Sequence, residues 1–440
     1  MRWEMRGVLS LVLGAWLGGM PGYVMAQSGW TVLNSGTSND LAAVHFVNPD
    51  TGYVAGAAGT ILRTTNGGTS WQDVSPTGVS AALNGVHTFS EMPNRVVAVG
   101  DGGLALLTTN GGVTWSTIAS GVSDDLLSVS FVSGIGSSGG RSQTILRSSD
   151  AGSSWNVVQS GFFGGGFFGA HMLSPSIGMV VGENSIFQPL LGKTTNGGAN
   201  WTFIPFYLDS NEGRGYGVNF TDDTFGYVAA SVWDGRGAIA RTTNGGTAWT
   251  STFFPGALYA ITFPISATGL TGYAVGASGR VVKTTNAGNN WHEQTSGTAA
   301  TLSGVCFLDL LNGYVVGDGG VILKTTTGGE PTIGVDDGEN EIPHSFALWQ
   351  NYPNPFNPST ALRFSLEEQS HVVLAIYDLS GQLVRTIVNE SREAGTHNMQ
   401  WDGTGEAGQD VASGVYIVRL DVRGAGQGQS SAVRKMTLLR

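Results

Sequence analysis

The sequence predicts an all-β chain, a seven-bladed β-propeller followed by a small β-sandwich. Three observations carry that expectation: one phrase recurring at a near-constant period, seven alignable apolar strands beside it, and an abrupt change of composition near residue 330. The phrase is Thr64-Thr65-Asn66-Gly67-Gly68-Thr69-Ser70-Trp71. It returns as TTNGGVTW ending at Trp115, SSDAGSSW at Trp155, TTNGGANW at Trp201, TTNGGTAW at Trp249 and TTNAGNNW at Trp291, and a seventh copy, Thr325 to Glu330, stops before its tryptophan. Successive tryptophans lie 44, 40, 46, 48 and 42 residues apart. A period of that size marks a solenoid or a propeller.

The chemistry of the phrase explains its return. Asn-Gly or Asp-x-Gly between β-rich runs is a hairpin turn, because these residues tolerate positive φ. The side chains of Asn66, Asn110, Asp150, Asn196, Asn244 and Asn286 can accept hydrogen bonds from their own turn's amides. Each tryptophan then opens the next strand and buries a large ring.

Aligned on the phrase, the copies resolve into four-stranded units. In the first, Leu41 to Phe46 reads as the inner strand, Tyr53 to Ala55 as the second, Thr60 to Thr64 as the third and Trp71 to Val74 as the fourth. Inner strands ending at Phe46, Thr88, Phe131, Met172, Phe220, Phe263 and Phe307 make seven blades, and a radial array protects its sheet edges. The last copy lacks a fourth strand, whereas Trp30 to Gly36 resembles one. The N-terminal strand is therefore expected to complete the seventh blade and close the ring. The third copy has Gly134 to Gly140 in place of the usual GYxVG strand, so its blade is expected to be partly malformed. The run from Gly161 to Gly169 carries four phenylalanines, expected to pack between blades, with an apolar binding lip as the alternative. Longer insertions at Asn184 to Leu191 and Tyr207 to Arg214 are where binding determinants are expected.

Residues 1–26 read as a secretory signal peptide: Arg2 and Arg6 begin it, Val8 to Leu17 form the apolar run, and Val24-Met25-Ala26 offers a cleavage site. No later segment reads as a membrane-spanning helix. The propeller is expected over 27–330, a Gly-, Pro- and acid-rich linker over 331–343, and the sandwich over 344–440. The net charge of −11 argues against nucleic acid as a partner. Cys306, the one cysteine, excludes an internal disulfide.

Three resemblances sharpen the reading. Ser148 to Trp155 is similar to the Asp-box of the bacterial neuraminidase (BNR) repeat, with the TTNGG copies as its Asn variant. The longer unit GYVAGAAGTILRTTNGGTSW, from Gly52 to Trp71, resembles the propeller repeats of the photosystem II assembly factor family, over roughly residues 28–330. Such repeats also occur in sialidases, glucanases and sortilin-type receptors, so the likeness speaks to fold more than to role. In the second domain, NYPNPFNPST from Asn351, Ile376 to Gly381, Trp401-Asp402-Gly403, Ser413 to Tyr416 and the tail Arg434 to Arg440 resemble the C-terminal sorting domain of type IX secretion cargo. That resemblance implies an immunoglobulin-like β-sandwich of flagellar-hook-cap type. It also implies transfer across the outer membrane by the type IX machinery, and residence in the medium or on the cell surface.

Four residue patterns are candidate chemistry. A sialidase would need an arginine cluster, and Arg63, Arg95, Arg141, Arg147, Arg214, Arg236, Arg241 and Arg280 are available without the Arg-Ile-Pro signature. A glucanase needs two facing carboxylates, and Asp101, Asp222, Asp223, Asp234 and Asp318 are available without a pairing visible in the sequence. His45, His87 and His171 share one inner-strand position that Cys306 fills in the seventh blade; buried hydrogen bonds between blades are expected there, a metal being the sharper reading. Finally, Arg63, Arg147, Lys193, Arg241, Lys283 and Lys324 precede the phrase in six of seven copies, Leu107 being the exception. Stacking on the following tryptophan or solvation at a strand end is expected, with a ring contacting an acidic partner as the alternative. The propeller counts 11 Lys plus Arg against 18 Asp plus Glu, which departs from the basic surface of a photosystem-binding factor. The overall expectation is a secreted or outer-membrane-surface protein, binding an unknown protein or glycan of the cell envelope. No catalytic, metal or cofactor site is assigned, and the alternative is a surface glycoside hydrolase.

Overall fold

The computed structural model describes residues 27–332 and 347–439, apart from 163, 209–211, 265–269, 352–353, 355, 357–358 and 425–428. The expected signal peptide and most of the expected linker lie outside the described residues. The chain divides into two compact units, Met1–Ile333 and Gly334–Arg440.

The first unit is seven four-stranded antiparallel sheets. Their inner strands are Leu41–Phe46, Leu83–Phe89, Leu126–Val132, Gly166–Met172, Gly213–Phe220, Leu258–Thr262 and Leu302–Phe307. Each lies against the inner strand of the next blade, and the seventh lies against the first, so the array is a closed ring. In the first blade the remaining strands are Gly52–Gly56, Ile61–Thr64 and Gln72–Asp73, the last shorter than the sequence suggests.

Closure uses the N-terminal strand Gln27–Leu33, which pairs with Val321–Thr332 through Thr31 opposite Lys324, Val32 opposite Leu323 and Leu33 opposite Ile322. Trp30 is buried, meets the Phe307 ring edge to face at 5.9 Å, and donates its indole N–H to Gln294 Oε1 at 3.1 Å. Trp71, Trp155, Trp249 and Trp291 make the same edge contact with their own blade's phenylalanine, Phe46, Phe131, Phe220 and Phe263. A single ring closed from both ends leaves no unpaired sheet edge at the seam.

The third blade is complete, contrary to expectation. Ile135–Gly140 pairs with Leu126–Val132 on one side and Ile145–Ser148 on the other. Ser137 takes the place that Tyr53 holds in the first blade, and both Ser137 and Ser138 are buried. Small residues suffice because backbone pairing builds the strand, and the Ser137 side chain lies towards the turn of the next blade at Gly198. In the four-phenylalanine run, Phe163 lies outside the described residues. Phe167 is buried on Phe203 of its own blade, Phe168 meets Tyr216 of the next, and Phe162 is exposed. Part of the expected insertion at Asn184 to Leu191 is strand, Pro189–Thr194, behind a tight loop.

Turn chemistry repeats with little variation. In six blades the first Thr or Ser hydroxyl donates to the Asn or Asp side-chain oxygen at 2.8–3.0 Å. The same hydroxyl accepts the second glycine's N–H at 2.8–3.0 Å. The Asn or Asp oxygen in turn accepts an amide four residues on, at 2.9–3.0 Å. Gly67 and Gly68 both have positive φ, and Ala151 and Ala287 are held at φ 55° where the other copies have glycine.

The second unit is a two-sheet sandwich. One sheet holds Ala347–Leu348, Thr360–Leu366 and Gly395–Trp401; the other holds Leu383–Arg392, Ser370–Tyr377, Gly414–Gly424 and Gln429–Leu438 in that order. Trp401, Phe364, Leu374, Val418 and Met436 share its core. Phe356 is tied to the last strand, its N–H donating to the Thr437 carbonyl and its carbonyl accepting from Leu439 N–H. Asn354 accepts from Thr437 N–H at 2.8 Å. The leading Asn/Pro segment and the terminal tail therefore hold each other in place.

Replacing Trp30 by Ala removes a buried ring at the seam and is expected to cost about 3–5 kcal/mol. The denaturation midpoint of the propeller reads that loss. Ala287→Gly relieves a left-handed alanine and is expected to stabilise by about 1 kcal/mol, measured the same way.

Candidate functional site

The seams between blades engage most of the charged residues singled out from the sequence. Lys324 Nζ donates to the Gly67 carbonyl at 2.7 Å, beside the Tyr314 hydroxyl, which donates to the same carbonyl at 2.8 Å. Arg147 Nε donates to Gly197 O at 2.7 Å, and Lys193 Nζ to Asp223 O at 3.0 Å. Lys283 Nζ pairs with Glu330 at 2.6 Å. Arg63 and Arg241 lie against the next blade's turn, at Gly111 and Gly288. Where Leu107 interrupts the series, Arg95 from the second blade takes over and donates to Ala151 O at 2.7 Å. The expected stacking on the following tryptophan is replaced by contact with the second-strand tyrosine. Lys324 is 5.5 Å from the Tyr314 ring and Lys283 5.6 Å from Tyr273. The reason is geometric: the turn carbonyls of the next blade point into the seam, where a cation satisfies them at little desolvation cost.

The same tyrosines stack on the next blade's phenylalanine, Tyr314 on Phe46 at 4.0 Å, Tyr227 on Phe263 at 3.9 Å and Tyr273 on Phe307 at 3.7 Å. Burial, with lesser help from Glu330 and Asp309, lifts the Tyr273 hydroxyl far above its ordinary range.

The inner-strand histidines also bridge blades. Thr88 N–H donates to His45 Nδ1 at 3.3 Å, with the Thr88 hydroxyl 2.7 Å away. His171 Nε2 donates to Phe220 O at 3.1 Å, and Ser130 Oγ accepts Met172 N–H at 2.9 Å at the corresponding place between blades three and four. His87 stacks 4.4 Å from His45 and packs beside Phe89 and Phe131. His171 is therefore directed to its own neighbour, away from the His45–His87 pair. No group of three or more His, Cys, Asp or Glu side chains is assembled for a metal among the described residues. Burial lowers His45 and His171 to about 4, holds His87 well below its ordinary value and pushes the Cys306 thiol up to about 11.

The carboxylates weighed for hydrolysis are mostly bound into turns. Asp222 accepts from the Thr224 and Phe225 amides, Asp234 pairs with Arg236 at 2.7 Å, and Asp101 accepts from Asn84 at 2.9 Å. The arginines do not converge: Arg141 pairs with Asp125, Arg214 with Glu183 and Arg280 with Glu293.

What sequence reasoning missed is a ring at the start of the inner strands. In every blade the register slips once there, leaving Ala42, Asn84, Leu127, Phe168, Tyr216, Tyr259 and Ser303 as the extra residue of a bulge. A bulge turns its side chain out of the sheet. Phe168 and Tyr216 approach at 5.6 Å and Tyr216 and Tyr259 at 5.0 Å, forming a continuous aromatic wall across three blades. The small residues beside the bulges let the strands come this close: a Cβ on Gly217 would meet the Tyr259 carbonyl at 3.0 Å. The wall's signal is present in the sequence as aromatics at one offset, but the offset is visible only once the slip is known.

On the same side, the loops after the second strands of blades four and five carry exposed Ile186, Phe187 and Trp233. Phe187 and Trp233 touch edge to face at 5.0 Å. Phe187 sits at φ 60°, a conformation costly for an aromatic residue, held by Asn184, whose side chain accepts the Ile186 and Gln188 amides. An open depression of about 950 Å³ lies on this side between blades one to three, lined by Ser80, Asp101, Ser120, Asp124 and Ser160 among others. No helix among the described residues is long and apolar enough to cross a membrane.

Stability should hold above pH 6.5 and fall as the pH drops from 6.5 towards 4, because an unfolded histidine (pKa about 6.5) takes a proton that the buried one refuses. Melting temperatures across that window, in the wild type and in His45→Gln with His171→Gln, test this. The double variant is expected to have the flatter profile.

Against this geometry, comparison with known proteins gives two family matches. Residues 23–124 match the family described as photosynthesis system II assembly factor YCF48, and residues 356–426 match the FlgD Ig-like domain. No curated protein matches the chain. Among solved structures, YCF48 bound to D1 peptide is 17% identical with a TM-score of 0.55, covering 68% of this chain and 97% of that one. YCF48 from Cyanidioschyzon merolae is 18% identical with a TM-score of 0.52, covering 67% and 98%. The WD40 β-propeller domain of Doa1 is 15% identical with a TM-score of 0.53, covering 68% and 95%. At these identities the likeness is one of fold: a YCF48-like propeller with an Ig-like domain behind it.

Proposed function

We propose that the propeller is a non-enzymatic binding or scaffold module, carried to the cell surface or the medium by its C-terminal domain. The observation that carries the binding reading is the rigid apolar platform of Ile186, Phe187 and Trp233 beside the aromatic wall. Large rings held exposed at a conformational cost suit contact with another macromolecule. A similarly folded YCF48 is known in a complex with a D1 peptide, which supports a protein partner over a glycan. The hydrolase alternative is weakened because three of the acids considered for it are engaged, Asp222 in a turn, Asp234 in an ion pair and Asp101 in a hydrogen bond from Asn84. Export rests on the expected signal peptide and on the likeness of the second domain to type IX cargo. That likeness is supported by the mutual clamping of the Asn/Pro segment and the tail, which would make one sorting element of two distant stretches.

Two measurements test this. Binding of the secreted chain to peptide and envelope-glycan arrays is expected to favour peptides and to weaken about tenfold or more in Trp233→Ala, whereas released reducing sugar would overturn the reading. Expressed in its native envelope, the chain lacking residues 344–440 is expected to stay inside the outer membrane. Its normal export would remove the sorting role.

A further inference from the structure

The seven seams of the ring are not equally fastened. Arg95, Arg147, Lys193 and Lys324 each donate to a backbone carbonyl of the next blade, and Tyr227 and Tyr273 do the same towards Ala287 and Leu310. Those bonds serve six seams. Between blades one and two neither the tyrosine nor the cation makes such a bond among the described residues. The Tyr53 hydroxyl and Arg63 Nε are both buried there without a partner, the Arg63 guanidinium 5.9 Å from the Tyr53 ring. The outer end of this seam is held instead by the Trp115 indole N–H, which donates to Val74 O at 2.8 Å.

The inner end depends on a histidine being neutral. Thr88 N–H can only donate, so His45 Nδ1, 3.3 Å away, is an acceptor and carries no proton. An imidazolium donates from both nitrogens, and protonation therefore turns this bond into a repulsion. At the equivalent place between blades four and five the sense is opposite. His171 Nε2 donates to Phe220 O at 3.1 Å, a bond that a second proton on the ring leaves intact, and Gly213 N–H to Phe187 O adds a tie at 2.9 Å.

A proton at the first seam also meets no counter-ion. The His87 ring lies 4.4 Å from that of His45, with Phe89 and Phe131 at 5.2 and 5.5 Å. Blade two's inner strand packs against Leu41–Phe46, Gly52–Gly56, the turn Ala57–Gly59, Met92–Gly100 and Leu126–Val132. Their titratable groups are His45, Tyr53 and Arg95, with no carboxylate among them. Glu91, in the hairpin turn that follows the strand, is exposed. On the other side of His45, blade seven brings Cys306, Tyr314 and Asp318. Asp318 belongs to the far end of that strand, where the Gly319 amide meets Asp40, about 16 Å along the chain from His45. Burial keeps both rings uncharged at neutral pH, His45 at about 4 and His87 well below its ordinary value.

We propose that the seam between blades one and two is an acid-released latch: a proton on His45 breaks its bond from Thr88, sets a charge against His87, and parts this seam while the other six hold. Exposed on opening, each histidine regains a pKa of about 6.5, so the closed seam keeps its full stability above that pH and loses it as the pH falls towards about 4. Each histidine that takes up a proton on opening raises the open fraction about tenfold per pH unit in that window. Two do so at this seam, and one between blades four and five.

Hydrogen exchange of the full chain, followed by mass spectrometry between about pH 6.5 and 4.5 and corrected for intrinsic exchange, tests this. Protection of Leu83–Phe89 is expected to fall about tenfold or more per pH unit, and more steeply than that of Gly213–Phe220. His45→Asn keeps an acceptor oxygen but cannot titrate, and is expected to reduce the fall in Leu83–Phe89 at least about tenfold over the window. His171→Asn and Tyr53→Phe are expected to leave protection of that segment within about twofold, the first because it acts at another seam, the second because it removes a hydroxyl that donates to nothing. Equal falls in Leu83–Phe89 and Gly213–Phe220, earlier loss of protection in the closing strand Gln27–Leu33, or an unchanged fall in His45→Asn would overturn the proposal. Melting temperatures at neutral pH show which variants are folded. Should His45→Asn not fold, the order in which the three wild-type segments lose protection decides alone.

Discussion

The structure depends on one small cage of hydrogen bonds, the threonine hydroxyl and asparagine oxygen that fold each outer turn back on itself. That cage satisfies the turn's amides internally, which leaves its carbonyls facing outward into the seam. Gly67 O receives both the Tyr314 hydroxyl and the Lys324 ammonium from the preceding blade. A local turn therefore becomes the acceptor that fastens one sheet to the next. Buried carbonyls of this kind must be paired, so the cation and the tyrosine recur with the turn.

This arrangement explains why departures from the repeat are tolerated where they occur. The second blade has Leu107 in the cation's place, yet its seam is closed by Arg95 reaching from the neighbouring strand. The third blade has no tyrosine, and its glycine and serine strand still forms because pairing needs only backbone. The seventh has no tryptophan of its own, and Trp30 arrives from the other end of the unit to fill the same space against Phe307. In the second and seventh blades the contact persists while the residue supplying it changes.

The six cations were visible in the sequence as a series, and the structure gives that series an intramolecular task at the seams. The histidine series is similar: His45 and His171 reach the next inner strand, as the sequence alignment suggested for that position. The aromatic wall of Phe168, Tyr216 and Tyr259 belongs to no such legible series. Its members follow different neighbours and share only a one-residue slip in pairing.

By itself the sequence determined the repeat, the turn chemistry and the closing of the ring by the N-terminal strand, because each depends on local conformational preference or on a piece missing at one end and present at the other. Tertiary structure alone decided which acids meet a cation and which do not. Glu183 and Arg214 are 31 residues apart in the chain, and the Gly319 amide and the Asp40 carboxylate that accepts it lie near opposite ends of the propeller. Only the circular stacking of blades brings such positions to a common junction. Charge balance there is a property of neighbouring sheets, which no single repeat contains.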